Sequence, residues 1–250
     1  MKRKSLIILV AIGWLSVGLA SNEKTICGQQ DDRVPSFNPK IARVLKIGAP
    51  AGCTLTMIGR TCAISAGHCI STFEAAEFNT PLSSGGTIQH PPKEDIYMVD
   101  KSTLVYKNGG MGNDYAVLRL KANAITGKLA GDLQGHYDVS FNMPETGDMV
   151  RITGYGADRA DRERNFAQQT HNGPIERLSR SSAVMNHRAD TMGGNSGSSI
   201  IHENTGKIIA IHTHGGCSRR GGANGSTLLA AHKKAQAAIK ACLQWENDNL

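Results

Sequence analysis

The stretch "TMGGNSGSSI", Thr191–Ile200, sets three glycines and four hydroxyl side chains in ten positions. Composition alone describes a polar surface loop. The alternative is a loop shaped so that one hydroxyl, that of Ser196, meets a substrate, because glycine admits turns and close approaches closed to other residues. A serine hydroxyl is a weak nucleophile at neutral pH. It needs a base within hydrogen-bond reach, and the base needs an acceptor that fixes its tautomer. The choice turns on whether the rest of the chain supplies both.

Two short stretches do. "AISAGHC" ends a β-rich run with His68, and "GNDYAVLRL" opens another with Asp114. Taken singly, His68 is an ordinary surface or structural histidine and Asp114 a turn aspartate. Together with Ser196 they give the chain order His, Asp, Ser, one of the orders in which a nucleophilic triad occurs. Each sits at a strand end, where a rigid scaffold can hold it. The amides of Gly194 and Ser196 are then the candidate donors to an oxyanion. The competing nucleophile-elbow pattern, G-x-S-x-G, fails because its last position holds Ser198.

The remaining chain suits such a scaffold. Its 250 residues fit one large domain or two small ones, and 40% hydrophobic content is enough for a core. Abundant glycine and scarce aromatics favour many turns and short strands. Strand-like runs recur: "IARVLKI" (41–47), "CTLTMIG" (53–59), "TCAIS" (61–65), "DIYMV" (95–99), "TLVYK" (103–107) and "DYAVLRL" (114–120). After a weak centre at about 121–146 come "DMVRITGYG" (148–156), "PIERLS" (174–179), "SSAVMN" (181–186), "SSIIH" (198–202) and "KIIAIHTH" (207–214). This pattern predicts a barrel or sandwich in two halves. No internal repeat is visible. "TLLAAHKKAQAAIKACLQW" (227–245) differs, with Leu228, Ala231, Ala235, Ile239 and Cys242 at helical spacing, and predicts a C-terminal helix.

The N-terminus carries "MKRKS", an apolar run, and small residues Gly18 and Ala20 before Ser21. Residues 1–20 therefore form a signal peptide in this reading. The run is short for a membrane span and no second one follows, so no stable membrane association is expected. Its removal takes Lys2, Arg3 and Lys4 and no acid, lowering the formal charge from +7 to +4. The remaining basic residues are scattered without interleaved aromatics, which argues against nucleic acid as a partner. Six cysteines in an exported chain allow three disulfides. With no C-x-x-C pair, a structural zinc site is unsupported and no metal is expected.

"SAGHC", "NDYAVLRL" and "DTMGGNSGS" resemble the three signature blocks of chymotrypsin-fold serine proteases. Among these they are most similar to the bacterial glutamyl endopeptidases of the staphylococcal V8 type. The resemblance runs from about Cys27 to the C-terminal helix. It implies an all-β fold of two six-stranded antiparallel β-barrels with a C-terminal α-helix, within a peptidase domain at 26–250. The first barrel is expected at about 36–130, the second at about 140–228 and the helix at about 228–244. It implies His68 as general base, Asp114 as its partner and Ser196 as nucleophile. The implied protein is a secreted monomer that cuts protein or peptide substrates without a cofactor, extracellular or periplasmic according to its host.

Finer matches bear on the pocket. Asn195 stands where animal trypsins carry aspartate, as in the bacterial branch. "QDDR" (Gln30–Arg33) resembles the N-terminal signature of that branch and puts Ile26 at the mature first residue, with 21–25 as a short pro-segment. In that branch the α-amino group helps hold a glutamate side chain. Thr191, five residues before the nucleophile, and His212 in "AIHTHGG" match its pocket residues, and both side chains can donate to a carboxylate. The implied preference is Glu, or Glu and Asp, before the cut. One residue more than the family pattern stands between His212 and Gly215, where His214 lies, so a different preference is the alternative. A non-catalytic homologue acting as a binding module would show damage to the triad or oxyanion loop, and none is visible. The separation of Cys53 and Cys69 matches the histidine-loop disulfide of animal trypsins. The other four cysteines permit three pairings, of which fold analogy selects Cys62–Cys242 and Cys27–Cys217.

Overall fold

The computed structural model describes residues 25–250. The signal peptide expected at 1–20, and positions 21–24 of the short leader, lie outside the described residues. A two-residue strand β1 (Val34–Pro35) comes first. Six strands follow: β2 (Ile41–Leu45), β3 (Cys53–Met57), β4 (Cys62–Ser65), β5 (Ala75–Glu77), β6 (Ile96–Asn108) and β7 (Asp114–Leu120). They close into a barrel in the order β2-β3-β4-β7-β6-β5. A short helix α1 (Ala130–Gln134) lies in the connection. Then come β8 (Met149–Gly154), β9 (Gln169–Ser179), β10 (Val184–His187), β11 (Ser199–His202), β12 (Lys207–His214) and β13 (Asn224–Leu228). These run β9-β10-β13-β12-β11-β8, and a β8–β9 pairing closes the ring.

Counted from its own first strand, each barrel closes in the same cyclic order. The sequence shows no repeat because topology is limited by connection rules and edge closure, which many sequences satisfy. The strands β2, β3 and β4 are buried along their whole length. One face fills the first barrel, around Val44, Leu55, Phe78 and Leu118. A separate apolar cluster, with Ile64, Val117, Ile211 and Ile239, joins strands of both barrels to the C-terminal helix. This double burial explains why even the polar positions of these strands, Arg43, Thr54, Thr56 and Ser65, are buried instead of facing solvent.

Charge is also used at the seam. Arg43 is fully buried on β2. Its guanidinium bonds Glu77 at 2.6 Å and donates to the carbonyls of Gln89 at 2.7 Å and Phe166 at 3.0 Å. A buried cation is tolerable only when paired and hydrogen-bonded in this way. Tyr155 Oη donates to the Ile41 carbonyl at 3.1 Å beside it.

The C-terminal helix begins later than the expected 228. Thr227 and Leu228 belong to β13, which pairs with β10 and β12 and completes the second barrel. Barrel closure outweighs the helix-forming composition there. The helix α2 spans Lys233–Asn249, with His232 as its N-cap. It is held by the Cys62–Cys242 disulfide. Glu246, buried, accepts from the amides of Arg60, Thr61 and Cys62 and from the Thr61 hydroxyl. The other disulfides are Cys53–Cys69 and Cys27–Cys217.

Candidate active site

His68 follows β4 at the start of a 3-10 turn, Gly67–Thr72, and Asp114 opens β7. The pairing of β4 with β7 brings the two strands together. Asp114 is completely buried, and its two carboxylate oxygens divide the work. One accepts the backbone amide of His68 at 3.1 Å, and the other meets His68 Nδ1 at 2.6 Å. The carboxylate thus places the imidazole proton on Nδ1 and leaves Nε2 as the basic nitrogen. Thr227, reaching in from the second barrel, donates to the Asp114 carbonyl at 2.7 Å.

The nucleophile loop belongs to the second barrel but is fastened to the first by Thr54. The Thr54 amide donates to the Ser196 carbonyl at 2.8 Å, and its hydroxyl donates to the Gly194 carbonyl at 3.0 Å. The same hydroxyl accepts the Tyr155 amide at 3.0 Å. Nothing in the local sequence marks Thr54; its role comes from a contact 140 residues along the chain. Among the described residues Ser196 Oγ has no hydrogen-bond partner, so the histidine–aspartate half is joined and the serine–histidine bond is not. Such a bond is often loose before substrate arrives.

Two of the three loop glycines are required by geometry. Gly194 (φ +106°) and Gly197 (φ +88°) occupy the left-handed region. A Cβ on Gly194 would lie 2.2 Å from the Tyr155 carbonyl oxygen, and one on Gly197 would lie 2.1 Å from Ser65 Oγ. Gly193, grouped with them in the sequence reading, has neither constraint. Its carbonyl accepts the Ala157 amide at 2.8 Å. A planar trans peptide then turns the Gly194 amide the opposite way. Among the described residues, neither the Gly194 amide nor the Ser196 amide donates to a protein acceptor. Two free donors beside one serine can stabilise a developing oxyanion.

The expected pocket residues fall in two groups. Thr191 is buried beside Thr25, whose hydroxyl it reaches at 2.9 Å. Thr25 packs tightly against Gly215, leaving no room for a Cβ there. Thr25 therefore fills the space between Thr191 and Gly215. Ile26 lies beyond it, at the edge of a separate cavity with Met192 and Arg219. His212 is buried on β12 and meets a histidine that the sequence reading missed. His187 Nε2 lies 3.2 Å from His212 Nδ1. Burial pushes His187 down to about 3. Burial, then the neighbouring imidazoles, hold His212 well below the usual histidine range. Both rings are neutral at physiological pH. The extra residue before Gly215 is absorbed by a β-bulge in β12 between His212 and His214. His214 lands with its ring centroid 6.2 Å from that of His68.

Asp190 was also missed. It sits six residues before Ser196, but its carboxylate is taken up by the N-terminal segment. Oδ1 accepts the Cys27 amide at 2.7 Å and Oδ2 the Asp32 amide at 3.0 Å. Burial raises its pKa, opposed by these amides. With His171 and Asp32 it forms a compact group of potential ligands. Its oxygens already hold backbone amides, which makes it a fastening for residues 27–32.

Two barrels with a buried aspartate, an imidazole and a glycine-framed serine in the seam define the chymotrypsin-like class. Residues 26–234 match the family model described as Trypsin, and the chain belongs to that family. A glutamyl endopeptidase of Bacillus licheniformis is 26% identical over 210 residues, covering 77% of this chain and 61% of that protein. The chain thus spans less than two thirds of this curated relative. Among solved structures, a Glu endopeptidase in complex with MPD superposes with a TM-score of 0.66 at 18% identity, covering 88% of this chain and all of that one. A thermostable serine protease, AL20, from an extremophilic microorganism gives 0.64 at 15% identity, covering 84% and 99%. Protease Anisep from Arthrobacter nicotinovorans gives 0.58 at 16% identity, covering 85% and 99%. These likenesses carry the fold.

Proposed function

We propose that the chain is an exported serine endopeptidase that cuts after glutamate. The observation that carries the reading is the His68–Asp114 pair at 2.6 Å, facing a serine loop with two unpaired amides. In this mechanism Ser196 Oγ attacks the peptide carbonyl and His68 Nε2 takes its proton. Asp114 stabilises the imidazolium, and the amides of Gly194 and Ser196 hold the oxyanion. The imidazolium then protonates the leaving amine, and water repeats the sequence on the acyl-enzyme. No cofactor takes part.

The glutamate preference rests on Thr191 and on the two buried imidazoles. If the His187 proton lies on Nε2 and points at His212 Nδ1, the His212 proton is confined to Nε2, where it can bond a carboxylate. The name of the Bacillus relative supports the same preference. Thr25 fills the space between Thr191 and Gly215, so cleavage after Thr25 would empty the pocket and leave the Ile26 α-amino group beside it. Export is supported by the basic and apolar leader and by three disulfides, which persist in oxidising compartments. No helix among the described residues is long and apolar enough to cross a membrane.

The test is labelling of Ser196 by a fluorophosphonate, then peptides differing only before the cut. We expect one labelled site and cleavage after Glu far above Gln, Leu or Lys. Absence of labelling in processed protein would contradict the mechanism. A preference for Lys or Arg would contradict the glutamate reading.

A further inference from the structure

We propose that the cavity beside the oxyanion loop is a subsite for acidic side chains in the substrate segment that follows the cut, with Arg159 and Arg162 as its charged contacts. This rests on the peptidase reading above and extends it to the leaving side of the bond. The cavity has a volume of about 880 Å³. At one end it is lined by Gly193 and Gly194, at another by Gly52 next to the Cys53–Cys69 disulfide, and at its rim by Arg159 and Arg162.

Position identifies which part of a substrate enters. The scissile carbonyl must sit at the Gly194 and Ser196 amides. The residue before the cut turns toward Thr191 and Gly215, on the β12 side. At Thr25 the cavity meets the edge of the pocket for the residue before the cut, but no residue of β12 lines it, and from Gly194 it runs the other way, past Gly52 to Arg159 and Arg162. A chain crossing Ser196 therefore carries its next residues into it.

Charge identifies the class of side chain. Among the described residues, neither Arg159 nor Arg162 has a carboxylate partner. Arg162 donates to the Gly85 carbonyl, which aims its guanidinium across the cavity wall. The acid that also lines the cavity, Asp158, is already committed. Its Oδ1 accepts the amides of Ala160 and Asp161, and its Oδ2 lies 3.3 Å from Arg164 and 4.0 Å from Arg33. Glu163 is exposed and is not among the lining residues. The wall is also pre-formed across the two barrels. Ser83 Oγ donates to the Asn165 carbonyl at 2.6 Å, and Asn165 Nδ2 donates to the Gly86 carbonyl at 2.9 Å. Two guanidinium groups with no carboxylate partner among the described residues recognise a carboxylate by charge and by their remaining N–H donors.

The test uses two internally quenched peptides with Glu before the cut. One carries Asp-Glu and the other Asn-Gln at the second and third positions after it. At low salt we expect kcat/KM about tenfold higher for the acidic peptide, falling toward equality as salt screens the rim charges. In Arg159→Gln, an exposed position where folding is not at stake, the ratio should drop severalfold. In the Arg159→Gln/Arg162→Gln double variant it should approach one. Equal cleavage of the two peptides by the wild type, or a ratio that survives in the double variant, overturns the subsite and leaves the peptidase reading standing. Failure of the wild type to cut either peptide overturns both.

Discussion

Two close histidine contacts flank the serine loop, and they are built in opposite ways. His68 is partly open to solvent and bonded to a buried carboxylate. His187 and His212 are sealed from solvent and bonded to each other, and burial strips both of charge. The first arrangement favours an imidazole that gains a proton during reaction. The second penalises that proton and holds two neutral rings in a fixed mutual orientation. Under the proposed mechanism the same side chain serves proton transfer in one place and recognition in the other, according to its partner and its hydration.

The largest effect is expected from a change at Asp114. Asp114→Asn keeps the shape but removes the charge and the tautomer control, and kcat should fall about 10⁴-fold. Stopped assays on purified, folded variant check this; a loss below tenfold would deny His68 its role. The corresponding change in the other contact is His187→Gln. It should leave cleavage after non-acidic residues within about twofold and cut the Glu preference by about 10- to 100-fold. Peptide pairs with Glu and Gln before the cut give the readout, and a uniform loss on both would assign His187 to structure alone.

Acid stability separates the two contacts by a smaller amount. His187 has a folded pKa of about 3 against an ordinary 6.5. The unfolded chain takes this proton near pH 6.5 and the folded chain only near pH 3. Its contribution is therefore complete above pH 6.5 and is lost as pH falls toward 3, at up to about 1.4 kcal/mol per pH unit. Urea midpoints between pH 8 and 4 should fall less steeply in His187→Gln than in wild type. The least effect on chemistry belongs to Glu246, far from both contacts. Glu246→Ala strips the acceptor from three amides and should cost about 2–3 kcal/mol of stability with kcat unchanged. Denaturation and kinetics on the same preparation check it.

What could be read in the sequence follows the range of the interactions. His68, Asp114 and Ser196 stand at strand ends in a telling order, and their strands carry apolar cores, "CAIS", "DYAVLRL" and "SIIH". β5, "AAE", and β13, "NGSTL", carry no such pattern and form because barrel closure requires them. Thr54, His187 and Asp190 matter only through partners brought near by pairing across the barrels. Asp190 even opens the block "DTMGGNSGS", but its hold on the Cys27 and Asp32 amides is a contact about 160 residues apart. The three-glycine loop was legible as a loop, but only coordinates separate Gly194 and Gly197, which must be glycine, from Gly193, which need not be.

The division of labour between the two contacts is tested most directly by kcat/KM for Glu and Leu before the cut, in wild type and His212→Ala. We expect the Glu-to-Leu ratio to collapse by about 10²-fold, through loss on Glu peptides while Leu peptides change little. An unchanged ratio, or equal loss on both peptides, would contradict it.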